Sequence, residues 1–176
     1  MVEHPQEYVI MGFLMKTERH GYEINHLFSR GVGRVWHAGI SQVYALLKKL
    51  EAAEKVVSSI QIQAHRPARH IFAITPKGRD AFLQWVHTPL EKIRDLRLDL
   101  LAKLFFIREL NLAGIDDLLD KQIHIFQEQL REMKKKDENS DDGFDHLVYQ
   151  FKIGQIESVL AWLQKSEKLF KEDDSL

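Results

Sequence analysis

At 176 residues the chain suits one domain of ordinary size or a small domain with a substantial extension, and its 44% apolar content excludes wholesale disorder. The absence of cysteine excludes disulfide frameworks and thiolate metal sites, and no window approaches the roughly eighteen unbroken apolar residues of a membrane span. The net charge of −1 conceals a split: residues 1–90 carry 11 Lys and Arg against 7 Asp and Glu, whereas residues 91–176 carry 14 against 19. A basic front half suggests a polyanionic partner. The first residues lack the basic start and apolar core of a secretory leader, so a cytoplasmic location is expected, with no membrane partner.

Residues 7–16 are strongly apolar and follow Pro5, which suits the first turn of a helix, so they predict a buried first helix. A second helix, with Tyr22, Ile24, Leu27 and Phe28 as its apolar residues, runs from Gly21 toward the glycines at 31 and 33. In the third, residues 40–53, Val43, Leu46, Leu47 and Leu50 fall at i, i+3, i+4 and i+7 and form one apolar face. The opposite face carries Ser41, Ala45, Lys48 and Ala52, flanked by Gln42 and Lys49 on one side and Tyr44 on the other. Such a small, hydroxyl-bearing and basic surface suits close approach to an anion.

Residues 56–63 and 69–75 read as two strands from their β-branched content and alternation, joined by a tip at 64–68. Arg66, Arg69, His65 and His70 make that hairpin basic. Thr75 then caps a fourth helix with Pro76 at its first position, ending before Pro89. Three helices followed by a two-stranded basic hairpin is the winged helix-turn-helix order, in which the third helix enters the major groove and the wing touches neighbouring phosphates.

Beyond residue 95 long helices are predicted. Residues 97–110 hold too many apolar side chains for one stripe, residues 116–136 are amphipathic, and a charged loop precedes the last helix, 144–170. That helix carries Tyr149, Ile153, Ile156, Leu160 and Leu163 at spacings of 4, 3, 4 and 3, a heptad seam expected to join two copies of the chain. Gly154 beside the seam suggests a close helix approach, while Val148, Val159 and Trp162 form a second apolar stripe. The expected architecture is mainly α: an N-terminal winged helix-turn-helix over residues 1–90 and a C-terminal antiparallel helical dimerisation domain over residues 91–176.

Several segments carry a family signature: His20-Gly-Tyr-Glu-Ile24, Ser41-Gln-Val-Tyr-Ala-Leu-Leu-Lys-Lys-Leu-Glu51, Arg66-Pro-Ala-Arg-His-Ile-Phe-Ala-Ile-Thr75, and Gly78-Arg79 followed by Trp85. In these the chain resembles the PadR family of bacterial transcriptional regulators, in the larger, virulence-activator-like subgroup with a long C-terminal helical domain. The resemblance implies a homodimer on an inverted-repeat DNA operator and a ligand-responsive repressor, although related virulence-type members activate. It implies DNA contacts at Ser41, Gln42, Tyr44, Lys48, Arg66 and Arg69. Small aromatic effectors belong to that picture too. The family usually closes the third helix with a glycine; this chain has Glu54-Lys55 there.

Ser41 and Gln42 lie where a recognition helix reaches base edges, although Ser41 also suits a helix cap. Lys48 and Lys49 read as phosphate contacts, and His20, Tyr22 and Trp36 as residues of the module's core and turn. Phe82, Trp85, Phe105 and Phe106 read as packed core before they read as the border of an effector cavity. No HExxH, P-loop or GxSxG motif occurs, so neither catalysis nor a cofactor is expected. His124 and Glu128 stand one helical turn apart, a spacing far commoner for a surface pair than for a metal site. The competing reading is a winged-helix module for protein–protein contact, since a fold alone does not set function.

Overall fold

The computed structural model describes residues 4–28, 38–63 and 66–173. The glycines at 31 and 33, Trp36 and the hairpin tip at 64–65 lie outside them. Among the described residues there are seven α-helices: α1 (Pro5–Leu14), α2 (Gly21–Phe28), α3 (Ile40–Ala52), α4 (Pro76–His87), α5 (Leu96–Glu109), α6 (Ile115–Glu138) and α7 (Gly143–Asp173). Three strands, β1 (Arg19–His20), β2 (Val56–Gln63) and β3 (Arg66–Ile74), form an antiparallel sheet in the order β1-β3-β2. The wing hairpin is as expected, and β1 adds a short third strand against its inner side. No described helix is long and apolar enough to cross a membrane.

The chain divides into two compact units, one of residues 1–88 with 95–113, the other of residues 89–94 with 114–176. Helix α5, placed by its sequence beyond a boundary at residue 90, therefore packs with the winged-helix module. Its all-round apolar composition explains why: Leu100, Ala102, Leu104, Phe106 and Ile107 are all buried. Phe106 lies on α1, where a Cβ at Gly12 would come within 2.5 Å of its ring, and it meets Phe13 and Phe82 edge-on. Phe82 and Trp85 are likewise buried, so these aromatics are core of the first unit.

A buried polar link accompanies this packing. The Trp85 indole N–H donates to Asp99 at 2.9 Å, and the Lys103 ammonium donates to the Thr88 carbonyl at 2.6 Å, 3.9 Å from Asp99. Burial pushes the Asp99 carboxyl up and the Lys103 ammonium down, each opposed by the charge of the other.

In the second unit α6 and α7 pack along each other, with Lys134 of α6 2.7 Å from Glu157 of α7. Residues 89–94 are tied to α6 by amide side chains. Gln122, fully buried, accepts from the Leu90 N–H at 2.6 Å and donates to the Leu90 carbonyl at 2.9 Å, and Gln129 donates to the Glu91 carbonyl. The side chain thus supplies both partners that a neighbouring strand would have given.

The seam on α7 meets a different fate from the one its spacing suggests. Ile153, Ile156, Leu160 and Leu163 are buried within the single chain, and Tyr149 is half-buried. Side chains covered within one chain leave less of their area for a second copy. Phe144, Leu147 and Phe151 instead stand on the opposite face, 71%, 64% and 66% exposed. Within the single chain a Cβ at Gly154 would meet nothing within 4 Å.

The end of α3 shows how the missing glycine is replaced. Glu54 takes the left-handed conformation at φ 60°, and the Lys55 N–H reaches back to the Leu50 carbonyl at 2.9 Å, closing the helix as a glycine would. A side chain in that region costs about 1 kcal/mol. Replacing Glu54 with glycine is expected to raise stability by about 1 kcal/mol, read as a higher urea midpoint at unchanged slope. A lower midpoint would mean that the exposed Glu54–Lys77 ion pair outweighs the backbone strain.

Candidate nucleic-acid interface

Helix α3 buries Val43, Leu47 and Leu50 and leaves Ser41, Ala45, Lys48 and Ala52 exposed on its outer side. Its N-cap is Gly39, which has no side chain to offer, so Ser41 is not the cap and its hydroxyl faces outward from the first turn. The first-turn N–H groups, at the positive end of the helix dipole, receive no side-chain cap from Gly39. Gln42 is exposed in the same turn, and its amide donates to Gln6 of α1 at 2.7 Å, which orients it.

Lys49 occupies a different position from Lys48. Its ammonium forms an ion pair with the carboxylate of Glu7, whose side chain is only 4% exposed. Glu7 also accepts from the His4 N–H at the start of α1. A buried carboxylate needs its counter-charge, so Lys49 ties α3 to α1. Lys48, one residue away, stays on the outer stripe. The sequence showed Glu7 only as an acid opening an apolar helix; its partner lies 42 residues on, beyond any local spacing rule.

Tyr44 is half-exposed and wedged between elements. Its ring lies against Gly21, where a Cβ would be 2.5 Å from the ring, and meets Tyr22 and Phe72 edge-on with centroids 6.4 Å away in each case. Burial, and secondarily the neighbouring Tyr22, push its hydroxyl above the ordinary phenol value, so at neutral pH it is a proton donor. Tyr22 itself is 68% exposed, which corrects its assignment to the core.

The wing is anchored at the far end of α3. The Glu51 carboxylate accepts from both the N–H and the hydroxyl of Ser58 on β2. At the base of the hairpin the Thr75 hydroxyl donates to the Glu54 carbonyl and accepts from the Gly78 N–H, while the Thr75 N–H donates to the Lys55 carbonyl. Gly78 is obligatory at this junction, because a Cβ would lie 2.0 Å from the Lys55 carbonyl oxygen. The register pairs Ile60 with His70 and Gln61 with Arg69, with an irregularity before Gln63 and Arg66. Both arginines are therefore strand residues near the distal end of the wing, Arg66 opening β3 and not a loop; their side chains lie outside the described ones. Val57 and Ile60 are exposed on β2.

The stripe on α3, its flanking Tyr44 and the described part of the wing belong to one compact unit. His124 and Glu128 lie apart from it on α6, 3.7 Å from each other and both exposed. Among the described residues no group of three or more metal-ligating side chains occurs.

Breaking the α1–α3 tie has a specific expected cost. Lys49→Met leaves the Glu7 carboxylate buried without its cation and should destabilise the fold by about 3 kcal/mol, the lower end reflecting the half-exposed lysine. Glu7→Gln together with Lys49→Met should regain more than half of that in urea unfolding. A Lys49→Met chain as stable as the unchanged protein would return Lys49 to the contact surface.

Comparison with known proteins divides the chain ahead of α5. Residues 10–84 match the Transcriptional regulator PadR-like family, and residues 96–171 match Virulence activator alpha C-term. A negative transcriptional regulator, PadR of Bacillus subtilis, is 27% identical over 180 residues, spanning 90% of this chain and 97% of that protein. A probable transcriptional regulator of Mycobacterium tuberculosis is 30% identical over 87 residues, 49% of this chain and 46% of its own length. The crystal structure of Bacillus subtilis PadR in complex with operator DNA aligns over 94% of this chain and 99% of that one, with 25% identity and a TM-score of 0.47.

Proposed function

We propose that this chain, which carries a domain of the transcriptional regulator PadR-like family followed by a virulence-activator-type C-terminal region, regulates transcription by binding DNA as a homodimer. The observation that carries the reading is the outer stripe of α3, where Ser41, Ala45 and Lys48 are exposed on a helix whose other face buries Val43, Leu47 and Leu50. Small side chains let such a helix sit deep in the major groove. Ser41 and Gln42 meet base edges from its first turn, and Lys48 lies toward a phosphate. Arg66 and Arg69 on the wing extend the contact to the neighbouring backbone. Lys49 has no part in it.

The second copy is held through α7. Phe144, Leu147 and Phe151 follow one another at three and four residues, and the half-buried Val148, Val159 and Trp162 share their side of the helix. Against a two-fold mate the stripe is self-complementary, as an isologous contact requires. Two recognition helices related by that axis read an inverted repeat. The 27% identity to a negative regulator along nearly its whole length favours a repressor, acting in the cytoplasm and released by a small-molecule effector.

Two measurements test these parts separately. Lys48→Ala is expected to weaken binding on all duplexes alike and to flatten the salt dependence by about one unit; an unchanged slope removes Lys48 from the interface. Phe151→Glu should convert the dimer to a monomer in sedimentation and abolish binding to the inverted repeat. A Phe151→Glu chain that stays dimeric contradicts the α7 contact. A non-enzymatic protein-interaction module would give no salt-sensitive shift with the gene's upstream DNA at all.

A further inference from the structure

We propose that Tyr22 and Tyr44 together grip one phosphodiester of the DNA backbone, each donating its phenolic hydrogen to a non-bridging oxygen. The inference rests on the reading that α3 docks on DNA and adds to it a residue from α2. Tyr22 stands in the first turn of α2 with two-thirds of its surface exposed, so the fold makes little use of its ring. Its neighbours are functional ones. The ring meets Tyr44 at 6.4 Å and 79°, and His20 at 6.4 Å and 68°.

Tyr44 in turn is held from two sides. Gly21, next to Tyr22 in the chain, has no Cβ, and the Tyr44 hydroxyl occupies that space, 2.7 Å from where a Cβ would stand. Phe72 of β3 closes the other side of the ring. The two rings lie edge to face with centroids 6.4 Å away from each other, on the flank of α3 that carries Tyr44.

The chemistry selects the ligand. A phenolic hydroxyl is a neutral donor, and two of them on adjoining elements match a group with two equivalent anionic acceptors, which is a phosphodiester. A base edge in the groove would be met from the outer stripe, where Ser41 and Gln42 are. The nearby Glu23 carboxylate would oppose an anion, but it is turned back on its own turn, accepting from the His20 N–H at 3.2 Å and lying 3.4 Å from the His20 ring nitrogen. Gly21 is then doubly constrained, since any side chain there would displace the ring that completes the pair.

The test uses the full-length protein and a duplex that the unchanged protein binds, with Tyr22→Phe, Tyr44→Phe and the double variant measured by fluorescence anisotropy over a range of salt. Each single variant is expected to bind about tenfold more weakly, equally on operator and unrelated duplex, with the salt slope and melting temperature unchanged because no charge and no core contact is lost. The double variant should be little weaker than either single, since both hydroxyls serve one phosphate. Normal binding by Tyr22→Phe overturns the grip, and so does a double variant whose loss equals the product of the singles. Failure of the unchanged protein to bind any duplex overturns the DNA reading itself, and the grip with it.

Discussion

A carboxylate buried at the start of the central helix has to be answered by a cation, and in this fold the cation comes from the recognition helix. Glu7 and Lys49 join α1 to α3, and the rest of the first unit is arranged about α1 because it has no free face: Val9, Ile10, Met11, Phe13 and Leu14 are all buried. Phe106 packs on it from α5, and Tyr8 stacks on Trp85 of α4 at 4.9 Å. An ion pair of this kind adds little net stability compared with apolar packing, but removing one partner is costly, so it acts as a constraint on register. The angle at which α3 leaves the core, and hence the direction of its outer stripe, depends on it.

The same logic extends outward from α3. Glu51 holds the wing through Ser58, Thr75 and Gly78 lock the wing's base to the end of α3, and Gly21 admits the Tyr44 ring. Each contact uses a residue whose chemistry is local, a glycine for close approach or a short polar side chain for a backbone partner. Together they join α2, α3 and the base of the wing within one compact unit.

Much of this was legible in the sequence. The 3.6-residue period of α3, the alternation of the two wing strands and the Thr75-Pro76 start of α4 are local signals, and each element formed there, with β3 starting three residues earlier than its alternation marks. What escaped was long-range. Lys49 and Lys48 are chemically identical neighbours, and only the position of Glu7 separates a tether from an exposed cation. Tyr22 reads as apolar in a helix period, yet its side of α2 is left open. On α7 two apolar stripes were visible, and spacing favoured the regular one as the seam between copies. Within one chain that stripe is covered, while Phe144, Leu147 and Phe151 are exposed. The closing residue of α3 was also ambiguous: the backbone turns left-handed at Glu54 without glycine, at a cost that neighbouring contacts sustain.

The central claim is that two copies present their α3 helices to one duplex. Hydroxyl-radical footprinting of the gene's upstream region with the full-length protein tests it most directly. The account predicts two protected patches of equal depth, related by an inverted repeat and separated by a whole number of helical turns on one face of the DNA. A single protected patch, or protection without sequence preference at moderate salt, would contradict it.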